Sequence, residues 1–238
     1  MRKARSLGPI AIALAASVPA AGQGVFDMGM LTNTLSQGGL IQSEEARAGI
    51  GDVSRALART PRTAKVDRAA LTYRPSLAVR KRNLDAFVAR LRRVDATGAA
   101  DLQRTFASRD VVAEIGGLMR PEGLDPNNVA DAMATYLVTA FYGVRGSTDG
   151  ETPEFKAVSL QMARVLSADP AFTGADDALK QEIAESMLVQ AVLANQAVQA
   201  AQKQPSAMPA VKAAIAKGAE AAFGLDVRRM QLGPNGLE

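Results

Sequence analysis

The sequence predicts an all-α fold: a helical bundle of about six to seven helices around one long central helix at about residues 176–203. Three observations predict it. From Tyr73 onward, apolar residues recur at three- and four-residue steps, the period of a helix with one buried face. Within the longest periodic stretch, Met187 to Ala194 (MLVQAVLA) is apolar nearly all round, which belongs in the middle of a bundle. No strand pattern competes, because the β-branched residues fall on helical spacing and hairpin dipeptides are missing apart from Pro234-Asn235-Gly236.

The chain opens as an export signal. Arg2, Lys3 and Arg5 form a positive region, Leu7 to Val18 an apolar run, and Pro19 to Gly22 a small-residue exit. The run is about 12 residues against the roughly 20 that cross a bilayer, which favours a cleaved signal peptide (1–22) over a membrane anchor. A cut after Gly22 is preferred, and one after Ala20 is the alternative. Residues 23–72 mix Gly, Ser, Thr, Asn and Gln and read as a flexible, partly disordered N-terminal arm. It carries one weak helical segment near Ser43 to Arg59 and a linker at Thr60 to Lys65. The short apolar run Val25 to Leu31 is the part of the arm that could dock on the domain or on a partner.

The bundle domain spans 73–224. Pro75-Ser76 opens a helix with Leu77, Leu84, Phe87, Val88, Leu91 and Val94 at helical steps, ending before Thr97-Gly98. A second carries Leu102 and Phe106. Ser108 is the expected cap of a third with Val111, Val112, Ile115 and Leu118, stopped by Arg120-Pro121-Glu122-Gly123. Asp125-Pro126 is the expected start of the helix to Val144, since Asp accepts first-turn amides and Pro gives up one that lacks a partner. Thr152-Pro153 repeats the device for a helix closed by Asp169-Pro170. After the central helix, an Ala-rich helix from about Ala207 to Phe223 ends at Gly224, and 225–238 reads as an irregular tail. Aromatic residues make up 4% of the chain, so helix contacts through small residues are expected rather than a core of large rings.

Composition removes most chemistries. The chain has 28 Lys+Arg against 24 Asp+Glu; setting aside three basic residues in the signal leaves 25 against 24, which is no footprint for nucleic acid. With no Cys there is no disulfide, thiolate metal site, thiol nucleophile or lipidated cysteine, so the mature chain is expected without an anchor or a transmembrane segment. With no His there is no Ser-His-Asp machinery and no His-based metal site. No cofactor and no metal site is indicated.

Two groups of residues could carry chemistry. On the helix beginning near Asn128, steps of about 100° put Asn128, Asp131, Thr135, Thr139 and Tyr142 within a quarter-turn of one another, with Val129, Met133, Tyr136, Leu137 and Ala140 opposite. A stripe facing water is the base-rate expectation. The sharper one is a binding cleft lined by a carboxylate, hydroxyls and a phenol. On the central helix, Glu182, Glu185 and Ser186 are candidates: a partly buried carboxylate either finds a cation such as Lys180 or Arg164, or has its pKa raised into the range of an acid catalyst. Structural pairing is the commoner outcome. The basic run Arg80, Lys81, Arg82, Arg90, Arg92, Arg93 is expected on the wet side of its helix, with an anionic partner such as lipid headgroups as the minor reading.

The short motifs Tyr73-Arg74-Pro75-Ser76, Arg80, Asn83-Leu84 and Phe87 are followed by Gly123-Leu124 and Asn128-Val129-Ala130-Asp131-Ala132 with Tyr136. Lys180-Gln181 and Ala184-Glu185 complete them. Over about residues 70–232 these motifs resemble a family of exported Gram-negative bacterial proteins that carry a domain of unknown function. The resemblance implies that Asn128, Asp131, Tyr136 and Glu185 occupy positions of the family pattern, and it implies no activity. Two functions therefore stay open. One is a non-enzymatic periplasmic or secreted domain that binds a protein, peptide or envelope component. The other is a carboxylate-dependent enzyme that cleaves peptidoglycan glycan, with Glu185, Glu182 or Asp131 as weak catalytic candidates and no Trp to stack on sugar rings.

Overall fold

A computed structural model describes residues 28–36, 43–50 and 52–238. The expected signal peptide and its cleavage point lie outside these residues. In chain order the helices are α1 (Met28–Ser36), α2 (Glu44–Ile50), α3 (Val53–Arg59), α4 (Leu77–Arg92), α5 (Ala96–Ser108), α6 (Val111–Met119), α7 (Val129–Gly143), α8 (Thr152–Ser167), α9 (Pro170–Thr173), α10 (Asp177–Lys203) and α11 (Met208–Phe223). Two strands of two residues, β1 (Leu232–Gly233) and β2 (Gly236–Leu237), pair antiparallel in the tail. The fold is all-α, and among the described residues no helix is long and apolar enough to cross a membrane.

The centre is a pair of helices rather than one. α10 runs where the apolar stripe predicts, with the Asp176 carboxylate accepting from Leu179 N at its start. Its main neighbour is α7, which is buried on every side except at Tyr142. Ala130, Ala134, Ala184, Ala191 and Ala194 are fully buried, so the two helices carry the small residues that allow a close approach. α8 covers α7, α4 and α6 cover α10, and α11 lies against both.

Part of the segment expected as a flexible arm is folded onto this bundle. α1 packs against α11 and α10 with Leu31 and Leu35 buried, contributing on the order of 1.5–3 kcal/mol each. The stretch read as one weak helix is two, α2 on α10 and α3 on α8. α1 reaches its seat because α11 presents Gly218 there: a Cβ on Gly218 would overlap the Leu35 carbonyl oxygen. Such an approach leaves room for hydrogen alone.

Several boundaries differ from expectation by one to three residues. Ser108 ends α5, and it is the Asp110 carboxylate that caps α6, through Ala113 N. Asp125 accepts from Asn127 N inside a turn, and Asn128 caps α7. Thr152 is the first helical residue of α8, whose cap is Glu151 in a reciprocal capping box with Glu154. Thr97-Gly98 lies inside α5, capped by Asp95. Each time a neighbouring acidic or amide side chain on non-helical backbone takes the cap position. The caps at Ser76 and the end at Gly224 fall where the sequence places them.

The tail is fixed from two sides. The Gln161 amide of α8 brackets Leu237, accepting from its N–H at 2.9 Å and donating to its carbonyl at 2.7 Å. Arg145, stacked on the Phe141 ring, donates to the Val227 and Met230 carbonyls.

Candidate functional site

One residue of each central helix, Asn128 at the start of α7 and Gln181 of α10, bonds the extended segment Leu71–Ser76. On the α10 side, Gln181 clasps Ser76: Oε1 accepts from the Ser76 N–H at 3.0 Å and Nε2 donates to the Ser76 carbonyl at 2.9 Å. The same Gln181 amide donates to Glu185 Oε1 at 2.9 Å. Glu185, 1% exposed, takes its main bond from Arg80 Nε at 2.7 Å, and Arg80 Nη1 goes on to Asp110 Oδ2 at 2.8 Å. Its cation is therefore Arg80 of α4. Lys180 instead donates to the Thr173 carbonyl. Glu185 Oε2 is buried without a hydrogen-bond partner.

These surroundings set the ionisation. Burial pushes the Glu185 carboxyl above the usual carboxylate range, and the bonds from Arg80 and Gln181 only partly oppose it. Tyr73, whose hydroxyl donates to the Pro126 carbonyl, is raised by its own burial and then by the nearby Glu185 charge. Arg80 is raised despite its burial, through its bond to Glu185. Of the expected wet basic face, Arg80 and Arg90 turn inward, while Lys81, Arg82, Arg92 and Arg93 are exposed. Glu182 accepts from Ser43 N at 2.9 Å with Arg90 at 3.8 Å, and Ser186 donates back to the Ile183 carbonyl.

On the α7 side, the stripe expected to face water is covered. Asn128, Asp131, Thr135 and Thr139 are buried, because α8 packs over that face. Asn128 Nδ2 donates to the Arg68 carbonyl and to Thr72 Oγ1, while Val129 N and Tyr73 N complete a bridge between Leu71–Tyr73 and the start of α7. Asp131 accepts from Asp125 N at 2.9 Å, from Arg68 Nη2 at 2.5 Å and from Ser159 Oγ. Thr135 donates to the Asp131 carbonyl one turn back. Tyr142, half-buried at the far end, donates to Glu154 Oε1 at 2.6 Å, and burial with the Glu154 bond raises its hydroxyl pKa. The five residues thus share a face without lining one cleft.

The cavity beside Asp131 holds residues that periodicity did not point to. It is open, with a volume of ≈ 570 Å³, and Arg68, Arg120 and Lys156 surround it with Asp125, Asp131 and Ser159. Arg68 is committed to Asp131, whereas Arg120 and Lys156 form no salt bridge among the described residues. The sequence carried a trace of Lys156: no acidic residue stands three or four positions away on its helix, so nothing local neutralises it. Arg68, in the stretch read as arm and linker, gave no such signal. A second groove of ≈ 550 Å³ lies between α4 and α5 on a floor of Leu84, Val88 and Phe106, with Leu77 at its edge 76% exposed.

Comparison with known proteins gives one match. No curated protein and no solved structure matches the chain. The family described as "Family of unknown function (DUF6683)" matches residues 1–238, and the chain belongs to that family.

Proposed function

We propose that this chain is an exported, non-enzymatic binding domain, periplasmic or secreted once residues 1–22 are removed, that acts on a protein, peptide or envelope component. The observation that carries the reading is the contrast around Asp131. Its carboxylate is held by three donors, while the cavity it borders keeps two cations with no carboxylate partner among the described residues. The same holds for acid–base chemistry in general: Glu185 is tied to Arg80 and Gln181, and Glu182 to Ser43 N and Arg90. A glycan-cleaving enzyme needs a carboxyl group that reaches the leaving oxygen, and Glu185, though its Oε2 takes no hydrogen bond among the described residues, is 1% exposed and out of reach of a polymer. The basic start of the chain, its apolar run and the absence of Cys support export without an anchor.

The test uses the purified mature chain and an envelope fraction. Saturable co-sedimentation with no release of reducing sugar from peptidoglycan is expected. Release that disappears in Glu185→Gln overturns the reading in favour of the enzyme. Mass spectrometry of the protein exported from cells reports the cut, expected after Gly22 or Ala20; a chain that retains residues 1–22 overturns the export part.

A further inference from the structure

We propose that the cavity between the Arg120–Gly123 turn and α8 binds a phosphate group. Three cations from three separate parts of the chain face this space: Arg68 ahead of α4, Arg120 at the end of α6 and Lys156 on α8. Arg68 is oriented from beneath. Its Nη2 is held by the buried Asp131 and both terminal nitrogens reach Ser159 Oγ, which leaves Nε and the exposed edge of the guanidinium for a ligand. Arg120 and Lys156 have no salt bridge among the described residues.

Two glycines shape the space. Gly123 has φ +74, and a Cβ there would stand 3.2 Å from Lys156 Nζ; a Cβ on Gly116 would stand 3.2 Å from Arg120 Nη1. Both cationic side chains therefore lie across bare backbone beside the cavity. Asp125 also lines it, with Oδ1 turned to its own Asn127 N–H. After Arg68 and Asp131 neutralise each other, two cations face one carboxylate, and an anion is the complement. Phosphate fits better than a carboxylate, since its terminal oxygens can accept at once from the Arg120 fork, the Lys156 ammonium and the remaining N–H of Arg68.

The assignment rests on the binding-domain reading, and its test is separate from that one. Purified mature protein is titrated calorimetrically with inorganic phosphate, with acetate and chloride at the same ionic strength as references, because surface charge is screened by salt. Saturable binding to phosphate alone is expected, weakened about tenfold or more in Arg120→Gln/Lys156→Gln and strengthened in Asp125→Asn. Circular dichroism monitors the fold, and the two single variants replace the double one if it unfolds. Vesicles of phosphatidic acid distinguish a lipid headgroup from a free phosphate: vesicle binding that inorganic phosphate displaces and Arg120→Gln/Lys156→Gln weakens assigns the headgroup, and phosphate binding with no vesicle binding assigns the free group. Equal heats for phosphate and acetate, or phosphate binding unchanged in the variants, overturn the site. Loss of phosphate binding with envelope co-sedimentation intact overturns the ligand and leaves the binding domain standing.

Discussion

Arg80 Nε donates to Glu185 Oε1 at 2.7 Å, joining α4 to α10 across 105 positions of sequence. Arg80 is 14% exposed and Glu185 1%, so water does little to screen the pair. Arg80→Ala strands a carboxylate in the interior. The expected cost is about 3–5 kcal/mol at neutral pH. Urea denaturation measures it, and adding Glu185→Gln to Arg80→Ala should recover part of the loss; a double variant no more stable than Arg80→Ala contradicts the pairing argument.

The pH dependence follows from the direction of the Glu185 shift. Because its pKa is raised in the folded chain, the native state holds the proton more tightly than the unfolded one. Its contribution is fully present below the ordinary carboxylate range and is lost as pH rises through the raised value. Glu185→Gln has no such proton, so its stability relative to wild type should be lowest in acid and climb as the pH rises from below the ordinary carboxylate range through the raised value. Urea curves at the two ends measure the difference, and a gap that stays constant or moves the other way removes the claim.

Asp131→Ala frees the Asp125 N–H, Ser159 Oγ and Arg68 together. Arg68 is 45% exposed and returns to water, so the loss should be smaller than at Arg80, about 1–3 kcal/mol. Chemical denaturation checks the order: a cost above that of Arg80→Ala would show Asp131 to be the more deeply committed group.

Gly218→Ala pushes a methyl against the Leu35 carbonyl of α1. Overpacking of this kind costs about 1–3 kcal/mol. The loss should fall on α1 rather than on the centre of the bundle, so hydrogen exchange should rise in residues 28–36 and stay unchanged in α7 and α10. Uniform acceleration would place the strain in the bundle itself.

The long helices and most of their ends were legible in the sequence, because α10, α4 and α11 repeat apolar residues at helical steps and end at recognisable residues such as Ser76, Asp176 and Gly224. The Asp131 stripe was misread for a definite reason. Periodicity reports which residues share a face of α7, and only the placement of α8 decides that this face is covered. The partner of Glu185 was equally hidden, since Arg80 sat in a run most of whose members, Lys81, Arg82, Arg92 and Arg93, are solvated. Of residues 67–76 only the Pro75-Ser76 helix start was marked: the bonds that seat the segment on α7 and α10 run largely through its backbone groups, and composition is silent about those.

The segment Leu71–Ser76, held by the start of α7 on one side and by Gln181 on the other, ties the chain ahead of α4 to the two central helices. A chain divided there would yield two fragments that each lack the other's backbone partners, so the protein should melt in one cooperative step, and permissive points for splitting or circular permutation should be sought elsewhere.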